Sequence, residues 1–477
     1  MILDHQGDCK GPVNFLTHLT HNAILFLMRQ YRIVLFMLLL LAGLASCTPG
    51  HLGSNEIAFL RDGHLWTIDP DGANAFDVAP NSIPIVGYGW SPNHQILVFR
   101  SLDSNFARSP AGKHLVSNPI TQSPGDLPGS LNTIGIDGGD PITIIYSSSS
   151  IQYSNAWWSS TGTRLVYREE PVGFSQGSGA AAWWISQNDQ PGGIARRFFP
   201  GSFSIPSLTS DTSMAIGNYS QGVFTTTITG TDLHYVIQGI LPGHPLPASL
   251  ERVLWQPAHS HPAILYATAT TPSKTSTQPS SSIRTPASIQ LMLRDANGQT
   301  RAIATCACTQ FAWSPDGNHI LYNTGTIYTF LNLDGSPSFS ILAEVGSVPY
   351  WSPDSQFLLL DGLHTLLLVQ IASRRQQVLL SDATPPATTS PSVTQPGINA
   401  LLQPVSNSLW AADSRHFLFL TRGRLLWQGQ RLSSGAGLYT VSIDDSGRPQ
   451  GIPALVDTGN DSQPGWSYED MNTSFLF

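Results

Sequence analysis

Charge is scarce in this chain. Only 11% of its 477 residues are charged, 23 basic against 31 acidic, where an ordinary soluble domain carries about 25%. No basic cluster occurs, so a phosphate backbone would find no electrostatic footprint, and nucleic acid is excluded as a partner. Cysteine is rarer still. The four residues Cys9, Cys47, Cys306 and Cys308 are too few for a disulfide framework. Long apolar runs are missing as well. The uncharged stretch Ile33–Leu44 falls short of the about 20 residues that span a bilayer. No residue set stands out as catalytic, metal-binding or cofactor-binding.

What fills the gap is Gly, Pro, Ser and Thr, which suit many short strands and turns better than long helices. The short apolar stretch has its own meaning. Arg29 and Arg32 precede it and Ala45-Ser46-Cys47 follow it, the layout of a secretory signal. Leu44-Ala45-Ser46-Cys47 resembles the lipobox of bacterial lipoproteins. That resemblance implies removal of residues 1–46, lipid attachment at Cys47 and display on the outer side of the cell membrane, with residues 47–53 as a linker. Met28-Arg29-Gln30-Tyr31-Arg32 reads as a natural signal start, so translation is expected to begin at Met28.

The remainder is built on a repeat. Trp313-Ser314-Pro315-Asp316-Gly317 precedes the strand-like His319-Ile320-Leu321-Tyr322, and Trp351-Ser352-Pro353-Asp354 precedes Phe357-Leu358-Leu359-Leu360. Further copies start at Trp90, Trp158, Trp255 and Trp410, and a degenerate one carries Leu208 in the Trp position. Each has a second half that ends in an Asp/Gly turn, such as Leu333-Asp334-Gly335 or Asp69-Pro70-Asp71-Gly72. Pro fixes φ, Asp or Ser bonds back to the backbone, and Gly takes positive φ. The Trp supplies a large apolar plate expected to pack between neighbouring sheets rather than to touch a ligand. Spacings of about 40–50 residues per unit match four-stranded propeller blades. The Ser/Thr/Pro-rich tracts 267–287 and 382–396 read as exposed insertions that account for the longer spacings.

The Trp-Ser-Pro-Asp-Gly turn with its following strands resembles the TolB-type WD40-like propeller repeat. The resemblance implies an all-β fold, a single propeller over residues 54–477. The extra N-terminal domain of TolB has no counterpart here, so a role like TolB's own is not implied. Ile57-Ala58-Phe59, Leu65-Trp66-Thr67-Ile68 and Phe76-Asp77-Val78 read as later strands of a unit without its first. Pro464-Gly465-Trp466-Ser467 reads as a unit start, so residues 464–477 are expected to close the ring beside the N-terminal strands. The count is then eight blades, or seven if the Leu208 copy forms no sheet of its own. An unclosed ring would expose two strand edges.

Other features keep alternatives open. His259-Ser260-His261 reads as a polar turn or as part of a metal site that lacks a third ligand. Cys306-Ala307-Cys308 reads as two small buried residues, as a strained disulfide, or as a metal or redox pair. Trp157-Trp158 and Trp183-Trp184 read as core, or as a glycan platform. Two functions follow. One is a monomeric binding module for a protein, peptide or glycan, because propellers gather loops of every blade around one mouth. The other is an enzyme of lyase or cyclotransferase type, with a site assembled at that mouth from residues distant in sequence.

Overall fold

The structure, a computed structural model, describes residues 57–467 apart from the connections 118–126, 172–181, 188–195, 201–206, 239–249, 270–288, 383–407 and 433–436 and short breaks of a few residues elsewhere. All described residues belong to the unit Ser54–Phe477. The expectations for residues 1–46, for Cys47 and for the linker 47–53 lie outside them.

A short meander opens the fold: β1 (Ile57–Arg61), β2 (His64–Ile68) and β3 (Phe76–Asp77). The second sheet holds β4 (Ile85–Trp90), β5 (Ile96–Leu102), β6 (Gly129–Gly135) and β7 (Ile142–Ile145). The third holds β8 (Ile151–Trp158), β9 (Arg164–Pro171), β10 (Ala182–Gln187) and β11 (Arg196–Pro200). In the fourth are β12 (Ser207–Ser210), β13 (Ser213–Asn218), β14 (Gly222–Thr227) and β15 (His234–Gln238). The fifth comprises β16 (Val253–Trp255), β17 (Ile264–Ala269), β18 (Ile289–Arg294) and β19 (Thr300–Cys306). β20 (Gln310–Trp313), β21 (His319–Asn323), β22 (Ile327–Asn332) and β23 (Pro337–Leu342) make the sixth. The seventh has β24 (Val348–Trp351), β25 (Phe357–Asp361), β26 (Thr365–Gln370) and β27 (Arg375–Asp382). β28 (His416–Thr421), β31 (Gly437–Ser442) and β32 (Ala454–Asp457) form the eighth; between its first two strands a hairpin, β29 (Leu425–Trp427) and β30 (Gln430–Arg431), crosses over to extend the seventh sheet beyond β27. Finally β33 (Asp461–Trp466) returns to the first sheet, antiparallel to β1, with Trp466 opposite Ile57 and Gly465 opposite Ala58. The architecture is all-β and propeller-like.

Each repeat Trp ends the first strand of its sheet or stands at that position. Trp90, Trp158, Trp313, Trp351, Trp410 and Trp466 are buried and Trp255 is half-buried. About 200 Å² of indole surface at about 25 cal/mol/Å² gives roughly 5 kcal/mol of transfer free energy per buried anchor. The packing is between sheets. Trp313 Nε1 donates to Leu254 O (3.4 Å), and Trp410 Nε1 donates to Tyr350 O (3.0 Å). Leu254 and Tyr350 each stand one residue before the preceding unit's own Trp. Trp351 meets Phe330 of the sheet before it edge-on at 5.7 Å. The last units share one apolar cluster that includes Phe357, Trp410, Phe417, Tyr439 and Trp466 together with Ile57 and Phe59 of β1.

Four expectations need correction. The tract 267–287 starts too early, because Ala267 and Ala269 are buried residues of β17, and Asp382 likewise belongs to β27 rather than to the tract 382–396. Small side chains fit a strand interior as readily as a loop, so composition did not mark these edges. The longest spacing, Trp90 to Trp158, owes its excess to neither tract. It contains residues 103–128 between β5 and β6, with two short helices, α1 (Ser104–Arg108) and α2 (Pro110–Ser117). Asp103 caps the first of them, its Oδ1 accepting from the N–H groups of Asn105 and Phe106 at 3.0 Å. The strand beside β1 lies at 461–466, ahead of the expected 464–477. The sheets are also not uniformly four-stranded. Trp410 contributes a single bridge to Phe417 instead of a full strand, which leaves the eighth with three.

Candidate recognition surface

In an antiparallel meander, successive connections leave at alternate ends of the sheet. Turns from first to second and from third to fourth strand share one end, the turn end. Connections from second to third strand, and from each sheet to the next, share the other, the connection end.

The turn end is cross-linked. Ser314 Oγ donates to Asp316 Oδ1 (2.5 Å) and accepts from His319 N (2.9 Å), while Asp316 Oδ1 accepts from Asn318 N (3.0 Å). Ser352 and Asp354 repeat this set. Burial alone would raise the Asp316 carboxyl, but the Ser314 hydroxyl and Asn318 hold it below the usual carboxylate range. Neighbouring turns are then tied together. Asp316 N donates to Ser355 Oγ (2.9 Å), Asp354 N donates to Ser414 Oγ (3.0 Å), and Gln256 Nε2 donates to Gly317 O (2.8 Å). Ser355 and Ser414 stand where the full motif has Gly, at φ of 60°. Their departure from Gly therefore exchanges backbone strain for a bond between sheets. Arg415 adds ion pairs to Asp354 (2.7 Å) and Asp445 (2.8 Å). At Gly72, with φ of 83°, a Cβ would stand 2.6 Å from Val456 O, so this Asp-Gly turn needs glycine for close approach as well as for φ.

The connection end is where length accumulates. No turn-end connection is longer than 443–453. Every longer one, 103–128, 239–252, 270–288, 383–409 and 422–436, emerges at the connection end. At the connection end of β5 and β6 lies a polar junction between the second and third sheets. Arg100, 1% exposed, donates Nη1 to Tyr153 O at 2.8 Å. Ser101 and Ser130 hydroxyls meet at 2.7 Å, Asn132 Nδ2 donates to Ser101 Oγ (3.0 Å), and Thr143 Oγ1 donates to Asn132 Oδ1 (2.9 Å). Arg168 Nε pairs with Glu170 Oε1 at 2.7 Å. Tyr153 and Tyr167 stack edge-on at 5.7 Å, and burial, reinforced by the Glu169 carboxylate and at Tyr167 by Tyr153, pushes both phenols above the ordinary tyrosine range. These groups bond inward and hold the platform.

Further along the same end, Glu344 links the 343–347 connection to the next sheet. Its Oε2 accepts from His364 N (2.9 Å) and Thr365 Oγ1 (3.2 Å). Cys306 and Cys308 form a disulfide across the step from β19 to β20, which selects one of the three readings of that pair. His259 and His261 lie outside the described residues, as do the side chains of Trp157, Trp183 and Trp184. Among the described residues no three His, Cys, Asp or Glu side chains gather as metal ligands. Sequence reasoning passed over Gly173-Phe174-Ser175-Gln176-Gly177, which has nucleophile-elbow spacing. It joins two strands of one antiparallel sheet, not a strand to a helix as the elbow requires, and it too lies outside the described residues.

No known protein family matches the chain, and no curated protein does. Solved structures resemble it weakly. An oligogalacturonate lyase in complex with manganese has 11% identity and a TM-score of 0.41, over 66% of this chain and 81% of that one. Oligogalacturonate lyase from Vibrio parahaemolyticus has 10% identity and a TM-score of 0.41, over 83% and 93%. A structure described as the eukaryotic initiation factor has 11% identity and a TM-score of 0.42, over 88% and 100%. At these values the likenesses say nothing of activity.

Proposed function

We propose that this protein is a lipid-anchored, extracytoplasmic recognition module that binds a protein, peptide or glycan at the connection end of its sheets. The observation that carries this reading is the asymmetry between the two ends. Tight turns bonded across sheets occupy one end, and every long connection occupies the other. Rigid scaffolds place recognition on the loops that are free to vary.

The same reading takes the scaffold to be an eight-bladed TolB-like ring closed by β33. In support, Arg61 of β1 pairs with Asp457 of β32 and with Asp461 of β33, the latter at 2.9 Å. Its guanidinium lies over Phe59 and Trp66 at 4.9 and 5.3 Å. Leu208 stands in a four-stranded sheet of its own, which favours eight blades over seven.

Attachment and recognition are separately testable. Cys47→Ala should move the protein from the membrane fraction to the soluble one, and intact mass should show a lipidated mature N-terminus at Cys47. An unmodified N-terminus elsewhere refutes the anchor. On peptide and glycan arrays, replacing 103–128 by a short Gly/Ser link should abolish binding that Asn297→Ala and Arg448→Ala at the turn end leave intact. The opposite pattern refutes the assignment of ends.

A further inference from the structure

We infer that the outer edge of β23 accepts an extended apolar segment of a partner protein as an added strand. The inference deepens the reading of the connection end as the recognising end, and rests on it.

The seventh sheet shows what such an edge receives. There β29 adds to β27, with Trp427 opposite Leu380 and Leu426 opposite Ser381. The sixth sheet has the same build. Ile341 opposes Tyr328 and Leu342 opposes Ile327, as Leu380 opposes Leu366 and Ser381 opposes Thr365. Ile341 and Leu342 thus occupy the places that, one sheet on, receive Trp427 and Leu426.

The added strand of the seventh sheet comes from the second-to-third connection of the sheet that follows it, 422–436. For the sixth sheet the corresponding connection is only 362–364, which cannot reach. Among the described residues β23 has no outer neighbour. Exposed aliphatic side chains stand on and next to this strand: Leu342 is 68% exposed, its β22 partner Ile327 44%, and Val345 in the following connection 65%. The equivalent places on the fifth sheet, opposite Gln290 and Ile289, hold Thr305 and the disulfide-bonded Cys306 instead. An outer edge with exposed aliphatic residues calls for a strand that brings main-chain hydrogen bonds and apolar side chains together. The occupant is therefore an extended peptide with bulky apolar residues in the Leu-Leu-Trp manner of β29.

The test uses the full chain in lipid nanodiscs and a fluorescent synthetic peptide with the sequence of residues 423–429, GRLLWQG. Saturable binding is expected, weakened at least about tenfold by Leu342→Lys, as loss of a buried leucine contact implies. The same weakening is expected when the peptide's two leucines are replaced by Asp. Amide exchange at those of residues 340–342 whose N–H groups point away from β22 should slow only when peptide is present. No saturable binding, or binding indifferent to Leu342→Lys and Val345→Lys, overturns the site. Slow exchange at those outward amides without peptide means that a segment of this chain already covers β23. Concentration-dependent dimerisation abolished by Leu342→Lys names a second copy as the occupant. Either result overturns the proposal. Because every arm reads β23 alone, its failure is distinct from failure of the array experiment on 103–128.

Discussion

Deleting residues 461–477 removes β33 and tests whether the chain's two ends hold one another. The loss can be worked from the contacts. Trp466 is buried in the cluster with Ile57, Phe417, Tyr439 and Val456, and removing an indole from a core costs about 3–5 kcal/mol. Trp466 N also donates to Ser408 O at 3.0 Å, and Asp461 leaves Arg61 with Asp457 alone. Added to these, β1 loses its inner neighbour, and Ile57 and Phe59 lose cover. The expected cost is therefore at least about 4 kcal/mol, most of it from the indole. Urea unfolding at constant protein concentration gives the midpoint shift, and size exclusion should show association through the bared β1 edge. Trp466→Phe, which keeps strand and ring, should cost less than half as much. A truncated protein that unfolds at the full-length midpoint and stays monomeric refutes the role given to β33.

Three further outcomes follow from the turn and loop geometry. Ser414→Ala removes the acceptor of Asp354 N while keeping positive φ, and should cost about 1–3 kcal/mol; Ser414→Gly relieves the left-handed strain and should cost about 1 kcal/mol less in the same urea titration. A reversal of that order refutes the exchange argued for these serines. Asp316 and Asp413 are held below the ordinary carboxylate value, against burial, by their hydrogen bonds to Ser314 and Asn318 and to Arg415 and His416. Their stabilisation is present above the unfolded value and lost as pH falls through the folded one. Stability should therefore drop below about pH 4, and less steeply in Asp316→Asn. Shortening 271–287 to a few Gly/Ser residues, with Ala269 and Ile289 retained, should move stability by no more than about 1 kcal/mol, since closure entropy varies with the logarithm of loop length. A larger loss means the tract packs on the body.

The strands and their anchors were legible because they are short-range. Trp313 and Trp351 sit one residue before turns whose Ser and Asp bond to each other, and such turns announce themselves in sequence. The residues that tie one unit to the next were not. Ser355 and Ser414 replace the motif's Gly, and their role as acceptors for Asp316 N and Asp354 N depends on the neighbouring unit, which no local pattern signals. Arg100 and Tyr153 lie far apart in the chain, and nothing near either residue signals their contact. The hairpin β29–β30 shows the same limit: Leu425-Leu426-Trp427 belongs by sequence to one sheet and by pairing to its neighbour.

The physical difference between the two ends also says how this scaffold can acquire a ligand. A residue added at the turn end would have to break bonds shared by two sheets, such as that from Asp354 N to Ser414, and leave a partly buried donor unpaired at about 1–3 kcal/mol. A residue added to 103–128 or 270–288 costs only a small increment of closure entropy. Long insertions are thereby favoured at the connection end whatever the ligand. That end is also where the longest connections leave the sheets, and β27 has already paired with a strand from one of them. Recognition by edge pairing is then the path of least resistance for this architecture. β23, with Leu342 and Val345 exposed beside it, is the edge where a second capture requires no change in the scaffold.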